Sequence, residues 1–267
     1  MNIQGKKRLT TEDTEFHGGL SMKALFSPPC SSVPSVSSVV KKNKNIGTRN
    51  ESSLHKTLKF QYAGPGGKTE AEVGEFVADG VRKDGEYIEV QTSSFGSLRK
   101  KVKELAKNAK VRIIHPIAVT KIIEVYDIKG KLLHRRRSPI RGSIWNLFDV
   151  VMYAPDLPLK KGVTIEVVLI DITEKRVKDG KGSWRRKGIS IKDKELSAYH
   201  ESIVLSKKTD YIKHFIPFKK DEEFTVSTHA EKTGVKRHIS QKSLYVLTKM
   251  KVINRIGKKA NAWVYLR

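Results

Sequence analysis

Residues 72–101 read EVGEFVADGVRKDGEYIEVQTSSFGSLRKK. Two apolar runs flank a Lys-Asp-Gly turn, and this pattern predicts a β-hairpin whose loop is longer than two residues. Asp79 closes the first run, whereas Glu89 lies inside the second and is followed by Val90 and Gln91. Because side chains alternate between the two faces of a strand, we expect Glu89 and Gln91 to point the same way.

The hairpin therefore predicts an oxygen-rich corner. It combines two carboxylates on adjacent strands with a polar side chain two residues further on. Oxygen ligands of this kind suit a hard divalent cation such as magnesium. The residues alone thus favour the site of a metal-dependent phosphodiesterase.

A family resemblance follows from the same residues. Asp79, nine residues and then Glu89-Val90-Gln91 resemble the Asp…(Asp/Glu)-X-Lys signature of the PD-(D/E)XK nuclease superfamily, the restriction-endonuclease-like fold. The resemblance covers roughly residues 51–267 and implies an α/β (α+β) protein with an α-β-β-β-α-β core. The chain offers candidates in that order, namely a helix at 51–62, the hairpin, a helix at 95–108 and a strand at 111–119. The wider pattern also resembles an uncharacterised bacterial nuclease-like family.

The resemblance also implies roles for individual residues. Asp79, Glu89 and the backbone carbonyl of Val90 would hold one or two Mg²⁺ (or Mn²⁺) ions, which lower the pKa of a bound water. Gln91 departs from the pattern, because the superfamily usually has Lys there. It would orient the water by hydrogen bonding but cannot act as a cation or a general base. Glu51 matches an acidic residue that many members carry on the first helix.

Structural explanations compete with these roles. Asn50 is a good N-cap, and an acidic residue such as Glu51 suits the first turn of a helix. Lys100 and Lys101 on the second helix are candidates for DNA contact or for the positive charge that Gln91 lacks, although a lysine run is usually a solvated face. For His55 and His115 we expect a structural role and not that of a metal ligand or proton carrier.

Composition agrees with a nucleic-acid partner. The 267 residues carry 53 Lys and Arg against 28 Asp and Glu, a formal net charge of +25 that attracts polyanions. Nothing resembles a membrane-spanning segment or a long basic amphipathic helix, so we expect DNA as partner and no membrane. The single cysteine, Cys30, suits a reducing cytoplasm, and we expect association with the nucleoid.

The first 49 residues differ from the rest. The stretch SPPCSSVPSVSSVV at 27–40 is rich in Ser, Pro and Val, and such a composition usually stays disordered. We expect residues 1–49 to be a tail without function, with translation starting at Met22 or later. A nuclease-like domain is then expected at 50–220.

Residues 121–220 continue in mixed α/β style. We expect two strands around 127–130, a helix at 143–155, a buried strand at 163–177 and a short connecting element at 197–205. Two basic clusters are candidates for phosphate contact. They are Arg135, Arg136 and Arg137 with Arg141 nearby, and the Gly-rich loop around Arg185 and Arg186. In that loop Trp184 is able to stack on a base, while the alternative is a solvated hairpin.

Residues 221–267 resemble a winged helix-turn-helix domain. An N-cap at Thr225 or Ser227 and a turn at Gly234 predict a short helix, followed by a second helix and two strands. In such domains the start of the second helix enters the major groove, and the wing tip lies near phosphate. The DNA-binding candidates are Lys236, Arg237, Ser240 and Gln241 on the helix, and Lys258 and Lys259 on the wing.

Two functions of different classes remain open. The first is a metal-dependent DNA endonuclease that a C-terminal winged helix delivers to its target. The second is a DNA-binding regulator or structural protein whose nuclease-like domain has lost catalysis, and Gln91 keeps this alternative open. RNA cleavage or association with the ribosome is a third, weaker alternative. Many nucleases of this type cut both strands as homodimers, but no residue here fixes the oligomeric state.

Overall fold

A computed structural model describes residues 51–267, so the predictions for residues 1–49 and for Asn50 lie outside the described residues. The described part confirms a mixed α/β protein. Its helices lie at Ser53–Ala63 (α1), Arg99–Asn108 (α2), Leu147–Val151 (α3), Lys208–Phe215 (α4), Val226–Thr233 (α5) and Arg237–Lys249 (α6). None of these helices is long and apolar enough to cross a membrane.

The strands form two sheets. They lie at Lys68–Val73 (β1), Phe76–Val81 (β2), Tyr87–Val90 (β3), Val111–Tyr126 (β4), Leu132–Arg137 (β5), Val163–Lys178 (β6), Ile189–Leu205 (β7), Phe224–Thr225 (β8), Asn254–Lys259 (β9) and Ala262–Leu266 (β10). The large sheet has seven strands in the order β1-β2-β3-β4-β6-β7, and β5 pairs with the far part of β4. The small sheet has the order β8-β10-β9.

The large sheet is mixed, and helices cover both of its faces. β4 runs parallel to β3 and to β6, whereas the other pairs of this sheet are antiparallel. Leu54 and Leu58 of α1 pack in one apolar cluster with Ile114 of β4. The preceding residue of that strand, Ile113, belongs to the cluster that contains residues of α2 and α3. Neighbouring side chains of a strand point to opposite faces, so α1 and α2 lie on opposite sides of the sheet.

Three helix boundaries differ from the predictions. α1 starts at Ser53, and the hydroxyl of its N-cap residue Ser52 accepts the backbone N–H of His55. Glu51 therefore precedes the helix. The predicted helix at 95–108 begins only at Arg99, after turns. The predicted helix at 143–155 consists of a 3₁₀ turn followed by the short α3.

The strands β6 and β7 form a long antiparallel arm. They pair from Ile165↔Leu205 to Lys178↔Ile189, with three register shifts. The interpretation of residues 197–205 as a connecting element was wrong, because they are the end of β7. The strand is hard to detect in the sequence since most of its side chains are exposed, which removes the apolar alternation.

The C-terminal residues contain the predicted elements. Thr225 accepts from the N–H of Thr228 at the start of α5, and Gly234 ends that helix with φ +69°. α6 and the hairpin of β9 and β10 follow. α4 packs with them, since the buried His229 ring of α5 lies 2.8 Å from the carbonyl oxygen of Phe215. A continuous apolar cluster joins this region to the α2 face of the large sheet.

Candidate functional site

The carboxylates lie where β2 and β3 separate. The ladder between these strands ends at Gly80↔Ile88, so the backbone groups beyond it need other partners. The N–H of Val90 donates to Asp79 Oδ2 at 2.8 Å, and the N–H of Asp79 faces Glu89 Oε1 at 3.3 Å. Each carboxylate thus accepts a hydrogen bond from a backbone N–H of the opposite strand, in place of the carbonyl oxygen that would accept it in a regular β-ladder. The hairpin therefore fixes both carboxylates through the backbone.

His55 lies against this corner from α1. Its Nε2 is 2.7 Å from the carbonyl oxygen of Val90 and 3.2 Å from Asp79 Oδ2, while its Nδ1 contacts Glu51. Both ring nitrogens face oxygen acceptors, which favours the doubly protonated ring. Burial disfavours that charge, but the hydrogen bond to Asp79 and the nearby acids outweigh it and raise the pKa of His55.

A lysine on the next turn of α1, Lys59, contacts the acids on the same side of the corner as His55. Lys59 Nζ lies 2.8 Å from Glu51 Oε1, 3.5 Å from Asp79 Oδ1 and 3.6 Å from Glu70 Oε1. Its side chain is largely buried. Desolvation opposes the ammonium, but the hydrogen bond to Glu51 and the charge of Asp79 keep the pKa of Lys59 above its usual value.

The second carboxylate faces α2. Glu89 is 1% exposed, and Lys101 Nζ donates to its Oε2 at 2.7 Å. Burial and the charge of Asp79 raise the pKa of Glu89 to about 7, although Lys101 opposes the rise. Asp79 behaves differently. Burial acts against its charge too, but hydrogen bonds from His55 and the Val90 N–H hold the pKa of Asp79 below its usual value.

The structure brings together a donor set that differs from the predicted one. Within residues 51–267, Glu51, His55 and Asp79 offer ligand atoms that lie within 4.8 Å of one another. Glu51 joins Asp79 as predicted, whereas His55 was assigned a structural role. Glu51 lies just before α1 and four residues from His55, and this spacing was a signal that could have found the histidine. Glu89 does not belong to this group of three and is instead bound by Lys101.

Gln91 does not contact the two carboxylates. Its side-chain amide donates to Ser94 O at 2.8 Å, and it also lies 3.0 Å from Ser93 Oγ and 3.3 Å from Ser97 Oγ. The backbone N–H of Gln91 still donates to Ile114 O at 2.8 Å, so the pairing with β4 reaches this residue although β3 ends at Val90. The side-chain amide is held by the serines that precede α2 and not by the carboxylates. Within the described chain, the nearest cation to Glu89 is Lys101.

Most predicted phosphate contacts lie on open surfaces. The whole of β5 is exposed, and with it Arg135, Arg136 and Arg137. Lys100, Arg185, Lys236, Arg237, Gln241, Lys258 and Lys259 are exposed as well, and Arg186 is half-buried. Arg135 pairs with Glu124 at 3.2 Å.

Ser240 contradicts its prediction. The side chain is fully buried, where its hydroxyl lies 2.9 Å from His229 Nδ1 and 3.0 Å from the carbonyl oxygen of Val226. It joins α6 to α5 and cannot reach a groove of DNA. Tyr245 and Lys249, which the sequence analysis did not select, are instead exposed on α6 at spacings of four and eight residues from Gln241.

The fold and the cluster define a mixed α/β protein with a buried site of carboxylates, histidine and lysines at a strand divergence. Residues 52–206 match the model of the family described as Domain of unknown function (DUF8091), and the chain belongs to this family. The match contains β2, β3, α2 and the β6–β7 arm, and it ends before α4.

One relative is an "Uncharacterized protein" of Treponema pallidum (strain Nichols). It is 31% identical to this chain over 151 residues, which cover 57% of this chain and 60% of that protein. The chain therefore spans less than two thirds of the length of this relative. No solved structure matches the chain.

Proposed function

We propose that this protein is a metal-dependent DNA endonuclease of the PD-(D/E)XK type. The observation that carries the proposal is the pair of carboxylates, half-buried Asp79 and buried Glu89, each bound by a backbone N–H of the opposite strand where β2 and β3 separate. Burying two acids side by side costs free energy, and such costs concentrate at functional sites. The order α1-β1-β2-β3-α2-β4 supports the same assignment, since it is the order expected of the nuclease core.

The donor set fits a divalent cation. Asp79 and Glu51 offer hard carboxylate oxygens, and Glu89 and the Val90 carbonyl lie at the same corner. The doubly protonated His55 would have to lose a ring proton before one of its nitrogens could bind the ion. When bound, Mg²⁺ or Mn²⁺ would lower the pKa of a water and neutralise charge on the scissile phosphate.

The residues around the acids supply the other requirements of the reaction. Lys101 places an ammonium beside Glu89, at the position where Gln91 provides no charge. It is therefore the candidate for stabilising negative charge that develops on the phosphate. The Gln91 amide, bound to Ser94, orders the segment between β3 and α2. The hairpin and α1 hold the acids on regular elements and not on a mobile loop.

The C-terminal elements are the candidate for target binding. α4, β8, α5, α6, β9 and β10 follow the order of a winged helix, with the sheet β8-β10-β9 beside the helices. The exposed face of α6 then presents Arg237, Gln241, Tyr245 and Lys249 to the major groove. On the wing, Arg255 and Lys258 lie over the ring of Trp263, at 3.8 and 4.5 Å from its centroid.

A second candidate is a DNA-binding protein without catalysis. The observation that favours it is the internal neutralisation of the cluster. Lys59 pairs with Glu51 and lies near Asp79, and Lys101 pairs with Glu89, so the acids have partners without any metal. A divalent cation would have to displace these ammonium groups.

Cleavage of supercoiled plasmid DNA tests the proposal. Wild-type protein is incubated with Mg²⁺, with Mn²⁺ or with EDTA, and nicked and linear products are quantified. We expect cleavage that requires metal and that falls by about 10³-fold or more in the isosteric variant Asp79→Asn/Glu89→Gln, because the metal-binding charges are gone. Glu75→Gln, which changes an exposed acid in the turn between β1 and β2, is the matched control and keeps wild-type activity.

Two results decide between the candidates. Cleavage by the double variant at the wild-type rate would place catalysis elsewhere and overturn the assignment of the site. Salt-sensitive DNA binding without cleavage of plasmid, of linear duplex or of single strands would favour the non-catalytic protein. Sedimentation of the protein with and without DNA shows whether linear product requires a homodimer.

A further inference from the structure

The tip of the β6–β7 arm carries an unusual side chain. Trp184 is 83% exposed, the most exposed large apolar side chain among residues 51–267. It lies in a single 3₁₀ turn, Trp184–Arg186, between the two long strands. An indole held in water costs free energy that a smaller polar residue would avoid. The position therefore points to a ligand for the ring.

Backbone contacts fix the tip in one conformation. The N–H of Gly182 donates to Gly188 O at 2.9 Å, and the N–H of Lys187 donates to Trp184 O at 3.0 Å. A side chain at Gly182 would bring its Cβ to 2.0 Å from the carbonyl oxygen of Ile189, so only glycine fits. Lys187 has φ +51°, a left-handed conformation that adds strain. Because these contacts order the turn, the ring is presented in a defined way.

The positive charge around the Trp184 ring favours a polyanion as the ligand. The residues 178–187 contain five cations and one acid, Asp179. Both oxygens of Asp179 accept hydrogen bonds, from the Lys181 N–H and from the Ser190 hydroxyl, so the acid serves the turn. The five cations are Lys178, Lys181, Arg185, Arg186 and Lys187. Within the described chain none of them forms an ion pair. The Arg185 guanidinium lies 5.5 Å from the Trp184 ring centroid.

We infer that the arm tip is a second nucleic-acid contact, in which Trp184 stacks on an unpaired base and the surrounding cations bind the flanking phosphates. A stacking ring beside cations is the arrangement that binds single strands without sequence preference. A lipid surface would require a broader apolar face than one ring among five cations. Paired bases inside a duplex show no free face, so the base must lie at an end, a gap or a single strand.

The tip lies far from the carboxylate cluster. Glu89 pairs with Ile113, which pairs with Ile165 of β6, and the arm then runs from Ile165 to Lys178. At about 3.3 Å per residue this distance is roughly 40 Å, a little more than one turn of duplex DNA. The contact therefore goes beyond the proposed cleavage site and does not require it to be active.

Binding of a fluorescein-labelled single-stranded oligonucleotide to the full-length protein in EDTA buffer tests the inference. We expect Trp184→Ala and Trp184→Leu to weaken binding about tenfold, the contribution of one stacked base, and Trp184→Phe to stay within about threefold. Phe60→Ala, which removes another highly exposed aromatic ring on α1, leaves the affinity unchanged. A blunt duplex responds to Trp184→Ala less than the single strand does.

Salt dependence tests the cations separately. The slope of log affinity against log salt should fall by about 1.4 in Arg185→Ala/Arg186→Ala, since each lost phosphate contact removes about 0.7 on a single strand. Wild-type single-strand affinity in both Trp184→Ala and Trp184→Leu would overturn the inference. The same follows if Trp184→Ala loses only binding to phosphatidylserine vesicles. If the protein cleaves DNA but substitutions of Trp184 leave single-strand affinity unchanged, this inference fails and the proposed nuclease activity stands. If single-strand affinity depends on Trp184 but no DNA is cleaved, the proposed nuclease activity fails and this inference stands.

Discussion

The carboxylate cluster and the basic arm handle charge in opposite ways. In the cluster, Glu89 is almost completely buried and bound to Lys101, and Asp79 is bound by His55 and the Val90 N–H. At the tip of the arm and on the neighbouring β5, every arginine except the half-buried Arg186 is exposed, and every one except Arg135 has no acidic partner within the described residues. Charges that are buried in pairs are fixed before any ligand arrives, whereas exposed cations remain free for a polyanion.

We therefore expect substitutions in the carboxylate cluster to change the stability of the protein, and substitutions of the exposed arginines to change its DNA binding. A buried ion pair that loses one partner leaves an uncompensated charge, so the protein becomes less stable. An exposed cation that is removed changes the attraction of DNA and its salt dependence, with little effect on folding. The two regions should therefore respond to the same kind of substitution in different measurements.

The largest effect on stability is expected for Lys101→Met. The change leaves the Glu89 carboxylate buried without its ammonium, and we expect the free energy of unfolding at pH 8 to fall by about 2 kcal/mol. Urea unfolding measures it. Lys100→Met is the matched control, because that neighbour on α2 is exposed and should change stability by no more than about 0.5 kcal/mol.

The pH dependence of this effect has a defined sign. The folded pKa of Glu89, about 7, lies above its ordinary value of 4.5, so the folded protein holds the proton to higher pH than the unfolded chain. The free energy of unfolding from this group therefore falls as pH rises from about 4.5 through 7. Lys101→Met should cost much less at pH 5, where Glu89 is protonated in the folded state. An equal loss at both pH values would contradict the ion pair.

The smallest effect on stability is expected for Arg135→Gln/Arg136→Gln/Arg137→Gln. All three side chains are exposed on β5, so unfolding should change by no more than about 0.5 kcal/mol. Duplex affinity should weaken, and the slope against log salt should fall by up to about 2.7, or 0.9 for each lost phosphate contact. A loss of stability above about 1 kcal/mol with unchanged DNA binding would reverse the comparison between the two regions.

Local patterns predicted much of the fold. The hairpin of Asp79 and Glu89, the buried strand β6 and the helix cap at Thr225 follow from turn residues, β-branched runs and capping chemistry, which act over a few residues. β1 was missed because Lys68–Val73 is mostly exposed and its apolar alternation is limited to Ala71 and Val73. β7 was also not predicted as a strand, since most of its side chains are exposed.

The contacts of the site were harder to predict, since they depend on packing between distant elements. Lys101 reaches Glu89 only because α2 packs across the sheet, and in the sequence Lys100 and Lys103 look equally suitable. Ser240 looked like a groove contact, but the buried ring of His229 binds its hydroxyl. Gln91 was expected to act beside the carboxylates, but its amide is bound by Ser94 O and by the neighbouring serine hydroxyls, and a strand pattern does not indicate such contacts.

The most direct measurement is Mn²⁺ binding, followed by the electron paramagnetic resonance signal of the free ion. If the buried acids serve to hold a divalent cation, the wild-type protein should remove one or two Mn²⁺ ions per chain from solution. Asp79→Asn/Glu89→Gln should remove none, and Glu75→Gln should bind as the wild type does. Equal Mn²⁺ binding by the double variant, or no binding by the wild type, would contradict a metal site at this corner.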